Sequence, residues 1–275
     1  MSILKNVLKN LTNNHGSNII IGAIILSLPY DKLDFSMLSR KKTKTLQNTD
    51  PEPMPTPNMP SMPLQSGDID PSRPMVALTF DDGPSEYTPL ILDLLEHYRS
   101  RATFFVSGDL VELNRDIVKR AVGLGNEILG HAWNHHDLTE LTDDEITAQL
   151  LNTNAVIKDV IGISPQSFRP PYGFTNDRVL NISRELGLGI IKWSLDSNDW
   201  ETLNSDTIYN TIINNVEDRD IILAHDVYQT TVDAMEGVIP ELITKGYQLV
   251  TISELMHYSG IEIQPGKIYS SGRKA

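Results

Sequence analysis

The side chains best suited to chemistry fall in five short segments: Asp81 and Asp82, His131 and His135, Arg169 to Tyr172, Asp196 to Trp200, and His225 with Asp226. Adjacent carboxylates at Asp81 and Asp82 repel unless a cation or an arginine sits with them, because like charges a few ångströms apart push one proton affinity up. Two histidines at i and i+4, His131 and His135, project to one side of a helical turn and offer two imidazole nitrogens to one ion. The chain has no cysteine, so a metal would have to rest on His, Asp or Glu. An Asp-His-His set with open positions suits a divalent cation. Each segment also has a plain structural explanation. Asp82-Gly83-Pro84 is ordinary turn chemistry, a lone His pair is common on surfaces, and Arg169 would pair with any carboxylate. Trp200 would serve equally in a core or as a wall facing a substrate. His225, at the end of an apolar run, fits a buried, satisfied histidine. His136 follows the pair and points elsewhere, to solvent or to a position behind the ligands.

The elements that position these residues alternate. Short apolar runs predict strands at Met75 to Phe80, Ala102 to Val106, Glu127 to Gly130, Ser167 to Arg169, Gly189 to Trp193, Asp220 to Ala224 and Tyr247 to Thr251. Between them, helices are predicted over Pro89 to Tyr98, Asp116 to Val122, Thr142 to Ile161, Asn176 to Leu186, Asp206 to Val216 and Val232 to Lys245. Thr142 with Glu145 forms a capping-box pattern, and Gly162 stops that helix. Seven strands alternating with six helices imply an α/β fold of βα units around a parallel sheet, open and doubly wound or closed as a small barrel. In both, chemistry gathers at the carboxyl ends of strands. The five segments sit just past the ends of five predicted strands, a coincidence that single surface loops do not explain.

Composition narrows the field. With 36 acidic against 23 basic residues, the net charge is -13 and no basic footprint advertises nucleic acid. The 275 residues and 40% apolar content suffice for one large domain. Half of the 16 prolines lie between Pro51 and Pro74, so residues 41–74 read as an extended, semi-rigid linker. Upstream, Lys5 and Lys9 precede the apolar run Ile19 to Leu28, too short for a span but of signal-peptide length. Residues 1–40 are therefore expected to be a signal peptide or membrane-anchor region, placing the protein outside the cell or at its surface. Residues 75–262 are the expected catalytic domain and 263–275 a C-terminal tail.

Thr79-Phe80-Asp81-Asp82-Gly83-Pro84, His131-Ala132-Trp133-Asn134-His135, Arg169-Pro170-Pro171-Tyr172-Gly173, Asp196 to Trp200 and Leu223-Ala224-His225-Asp226 resemble, in order and spacing, the motifs of the polysaccharide deacetylase family. This is the NodB-homology domain of carbohydrate esterase family 4. The resemblance implies a distorted, incomplete (β/α) barrel that hydrolyses acetyl groups on a polysaccharide with zinc, cobalt or a similar divalent ion. It assigns Asp82, His131 and His135 as metal ligands, Asp81 as catalytic base and His225 as general acid. Arg169 would orient Asp81, and Asp199 would tether His225. Tyr172 would stabilise the oxyanion through its backbone N–H, while Trp200 and Leu223 would wall the acetyl methyl. The second motif departs from the family: Ser or Thr usually follows its first His and often Pro its second, where this chain has Ala132 and His136. The missing hydroxyl predicts a less firmly supported site, a loss worth about 10- to 100-fold in metal affinity or activity elsewhere. The expected substrate is a glycan containing N-acetylglucosamine, of peptidoglycan or chitin type. An acetylxylan esterase with the same site, or an inactive glycan-binding relic, is the alternative.

Overall fold

A computed structural model of the protein describes residues 69–274; the apolar run, most of the proline-rich linker and the boundary expected between residues 40 and 41 lie outside them. Strand β1 (Met75–Asp81) is followed by α1 (Thr88–His97), β2 (Thr103–Val106), α2 (Gly108–Leu113), α3 (Arg115–Gly123) and β3 (Glu127–Gly130). Next come α4 (Asp143–Ile161), β4 (Ser167–Phe168), α5 (Asp177–Glu185), β5 (Gly189–Ile191), β6 (Leu195–Asp196), α6 (Asp199–Thr202) and α7 (Ser205–Asn215). The chain continues with β7 (Ile221–His225), α8 (Gln229–Thr244), β8 (Gln248–Leu249), α9 (Ile252–Tyr258) and β9 (Ile268–Tyr269).

The strands run in the order β6-β7-β1-β2-β3-β4-β5-β9, with β8 paired to β1, and every ladder is parallel. One extended stretch, residues 189–196, meets β4 through β5 at its start and β7 through β6 at its end. That stretch curls the sheet towards a ring, and its short pairings make the ring a distorted, incomplete (β/α) barrel, as the motifs implied. The two-residue alternation of β1 then divides its side chains. Val76, Leu78 and Phe80 pack outward with Ile91, Leu92 and Leu95 of α1 and with α8. Met75 and Ala77 point inward with Phe105, Leu129, Ile191 and Ile221. Burial on both faces explains why these strands read as unbroken apolar runs, each large side chain contributing about 1.5–3 kcal/mol.

Helix α4 starts at the predicted capping box of Thr142 and Glu145 and ends at Gly162, whose φ of 79° is left-handed. Residues 263–274, set apart in the sequence as a tail, supply β9 at the sheet edge, and Ser271 bridges to Asp220 at the start of β7. The predicted strand Gly189 to Trp193 is shorter, and β6 is additional. No helix among the described residues is long and apolar enough to cross a membrane.

Candidate active site

The inward rows of the strands carry the polar cluster. Above Met75 and Ala77, β1 presents Thr79 and Asp81; β7 presents Leu223 and His225, and Asp81 is in register with His225. Regular strand geometry would send Asp82 to the opposite face from Asp81. The left-handed φ of 74° at Asp82 turns its carboxylate back towards the same cavity. This cavity, about 520 Å³, is lined by Asp81, Asp82, His131, His135, Tyr172, Trp200, Leu223 and His225, together with Phe174, Trp193, Asp196 and Tyr228. Eight of the ten residues singled out in the sequence therefore share one opening, and the other two, Arg169 and Asp199, lie buried beneath it.

Asp82 Oδ1 lies 3.3 Å from His131 Nε2 and 3.2 Å from His135 Nε2. The His131 Nδ1–H donates to the carbonyl oxygen of Arg169 at 2.8 Å, which fixes the tautomer and leaves the Nε2 lone pair aimed at Asp82. Lone pairs facing one another at this distance need a positive charge between them. Asp82 Oδ1 is itself buried with no hydrogen-bond partner, and one donor atom from each of the three residues lies within 4.8 Å of the others. A nitrogen, nitrogen and carboxylate donor set of this kind fits a divalent ion such as zinc or cobalt. Burial raises the proton affinity of Asp82, but the positive charge that the neighbouring rings of His131, His135 and His225 attract outweighs it and holds the pKa at about 2. Burial also lowers that of His135, against the pull of Asp82. Both shifts keep the set in its ligating forms.

The i, i+4 expectation for the histidines needs correction. Residues 131–135 form no helix; the chain turns through left-handed conformations at Ala132 (φ 62°) and His135 (φ 58°), which bring the rings to 5.0 Å. His136 is exposed.

Asp81 is nearly inaccessible, at 3%. Its Oδ1 takes a 2.6 Å bond from Arg169, whose guanidinium also donates to Thr79 and to the carbonyls of Ile191 and Lys192 and stacks 4.0 Å from the Phe105 ring. Arg169 thus fills the barrel interior as a fully buried cation. Asp81 Oδ2 remains directed at the histidines, 3.8 Å from His131 Nε2. The repulsion expected between Asp81 and Asp82 is relieved twice, by Arg169 on one side and imidazoles on the other.

Asp199 is also fully buried. Its Oδ1 accepts from His225 Nδ1 at 2.8 Å and from the Trp200 N–H; its Oδ2 accepts from the His225 N–H and the Thr231 hydroxyl, each at 2.7 Å. His225 Nε2 is left to the cavity. Burial disfavours charge on His225, but the hydrogen bond and charge of Asp199, followed by Asp81 and Asp82, more than reverse this and raise its pKa to about 9. It is an imidazolium at neutral pH.

Asp226 received no role from the sequence. It is fully buried, with Oδ2 bonded to Thr88 and Oδ1 unpartnered, and burial, with the charges of Asp82 and Asp81 adding to it, lifts its pKa to about 7. Gly83 makes room for it: a Cβ there would lie 2.4 Å from the carboxylate oxygens. Phe174, exposed at the rim beside Tyr172, was also passed over, as aromatic residues in loops carry no signal of their own.

A family model for polysaccharide deacetylases matches residues 68–191. The peptidoglycan-N-acetylglucosamine deacetylase PgdA of Listeria monocytogenes is 39% identical over 195 residues, 70% of this chain and 41% of its own. This chain thus spans less than half the length of that relative. A peptidoglycan-N-acetylglucosamine deacetylase of Bacillus cereus is 38% identical over 189 residues, covering 67% of this chain and 69% of its own. The solved family 4 acetyl xylan esterase of Clostridium thermocellum, in complex with a cobalt ion, matches with a TM-score of 0.68 at 36% identity, over 72% of this chain and 98% of that one.

Proposed function

The chain belongs to the polysaccharide deacetylase family, and we propose that it removes N-acetyl groups from N-acetylglucosamine units of a peptidoglycan or chitin-type glycan, with one divalent cation held by Asp82, His131 and His135. The observation that carries this reading is the buried, unpartnered Asp82 Oδ1 facing two imidazole nitrogens, in a cavity that also holds a carboxylate and an imidazolium. When bound, the cation supplies Lewis-acid polarisation of the acetyl carbonyl and makes water more acidic.

The chain's own groups divide the proton work. Asp81 Oδ1 is tied to Arg169, so Oδ2 accepts the proton of the attacking water. Arg169 holds that carboxylate in one orientation and sets a positive charge against it beside Asp82. The tetrahedral oxyanion takes a backbone N–H from Tyr172, at the left-handed turn where φ is 59°; one such donor contributes about 3–4 kcal/mol elsewhere. His225, protonated through Asp199, gives its Nε2 proton to the sugar nitrogen, which cannot depart as an amide anion. Leu223 and Trp200 wall the space for the acetyl methyl.

Acetate release from N-acetylated chitooligosaccharides, peptidoglycan and acetylated xylan, with zinc or cobalt added and then chelated, tests the proposal. Chelator-sensitive release from the N-acetylated glycans is expected. Release from xylan alone would favour an esterase, the second reading, which the similarity to the cobalt-bound acetyl xylan esterase supports. No release from any polymer by metal-loaded protein would refute both.

A further inference from the structure

The two candidate histidine ligands are not equally supported. His131 is buried and locked by its own bond to the Arg169 carbonyl. The His135 side chain is 31% exposed; its ring meets Asp82 at 3.2 Å and the edge of Tyr172 at 4.6 Å. Its position therefore depends on the backbone of residues 132–134, in a loop with two non-glycine residues, Ala132 and His135, at positive φ. Such conformations persist only where neighbours over-determine them.

Those neighbours are specific. The N–H groups of Gly108 and Asp109, opening α2, donate to the carbonyls of Ala132 and Trp133 at 3.1 and 3.0 Å. The opposite side of the loop is served by one side chain from the second turn of α4. Gln149 Oε1 accepts from the N–H of Trp133 at 2.7 Å and of Asn134 at 3.3 Å, and its Nε2 donates to Asn134 Oδ1 at 2.8 Å. A carboxamide is suited to this because it combines an acceptor for two N–H groups with a donor for the side-chain oxygen. Ala132, fully buried, has no hydroxyl to brace the loop from within.

We propose that Gln149 is the positioning residue of the metal site: it clamps the 132–134 backbone from α4 and sets His135 against Asp82. The inference rests on the metal-site reading above.

The test is the affinity of the full-length protein for Zn²⁺ by chelator competition, with the Co²⁺ absorption spectrum as a report of ligand geometry. Gln149→Leu keeps similar bulk and removes both polar atoms; Gln149→Glu keeps the acceptor for the two N–H groups. The leucine variant should bind Zn²⁺ about 10- to 100-fold more weakly and alter the Co²⁺ spectrum. Its metal-free melting temperature should match that of the unaltered protein, and the glutamate variant should recover most of the affinity. Unchanged affinity and spectrum in Gln149→Leu would overturn the inference alone. Equal loss in both variants with a lowered metal-free melting temperature would overturn it in favour of a general structural role. Unaltered protein that binds no divalent cation would overturn the metal-site reading and the inference with it.

Discussion

Replacing Asp199 by Asn tests the acid half of the site. The aspartate accepts four hydrogen bonds, and its Oδ1 and charge are what raise His225 from 6.5 to about 9 against burial. The change removes the charge with little change of shape. Burial is then opposed only by the weaker pull of Asp81 and Asp82, and the His225 pKa should fall back towards its ordinary 6.5, by about two units, or roughly 3 kcal/mol of lost preference for the imidazolium. Above both pKa values the protonated fraction differs by that same interval, so kcat there should drop on the order of 100-fold from protonation alone. The amide also disturbs the tautomer, and the same change in a serine-protease triad costs about 10⁴-fold. A dication on Asp82 lowers His225 in both proteins, so the difference between them is the measurement. The assay is kcat for acetate release from pH 5 to 10 with metal saturating, alongside NMR titration of the imidazoles. The basic limb should move down by about two units. Stability should follow: with the folded pKa above the unfolded one, the Asp199–His225 contribution is full below pH 6.5 and lost as pH rises through about 9. A basic limb that shifts by less than half a unit would refute the assignment of His225 as the acid.

Asp81→Asn should keep its metal, by elemental analysis after dialysis, yet lose about 10²- to 10⁴-fold in kcat, whereas His131→Ala should lose the metal itself. Arg169→Met removes a fully buried cation and strands the Asp81 carboxylate, so urea unfolding should show a loss of about 3–5 kcal/mol. Asp226 has a folded pKa of about 7 against 3.8 for an ordinary aspartate, so the stability it contributes when protonated is full below about pH 4 and lost as pH rises through 7. Asp226→Asn should abolish that decline, worth up to about 4 kcal/mol, and so gain on the unaltered protein between pH 5 and 8 in denaturant titrations.

What the sequence made legible follows from where each signal is local. Strand β1 could be read because its residues are buried on both faces, and the site because its residues stand at strand ends. The capping box of α4 spans only Thr142 to Glu145. Most of the unread parts depend on distant partners. Strand β9 pairs for two residues only, too short to carry a period; α9 does carry a local signal, the capping box of Thr251 and Glu254 ahead of Ile252, Leu255 and Met256, but the apolar run read as a strand to Thr251 hid it. Helix α2 begins at Gly108, where Trp133 packs so closely that a Cβ would lie 2.5 Å from its ring. Gln149 lies 15 and 16 residues from Asn134 and Trp133. Nothing in its type distinguishes it from any polar residue on a helix.

The deepest gap between sequence and site is the backbone. Eight non-glycine residues among those described adopt positive φ, and four of them, Asp82, Ala132, His135 and Tyr172, line the cavity or adjoin a ligand. Each such conformation costs about 1–3 kcal/mol in isolation, which hydrogen bonding and packing around it must offset. At Asp82 the purpose is visible. A strand sends neighbouring side chains to opposite faces, so two consecutive aspartates can serve one cavity only if the strand stops between them. The turn at Asp82 does this, and it separates the chemistry of the pair: Asp81 keeps strand geometry and is held by Arg169 from below, while Asp82 swings out to the imidazoles. Two identical residues, adjacent in sequence, thereby become a proton acceptor and an ion ligand, and neither role can be exchanged without undoing the turn.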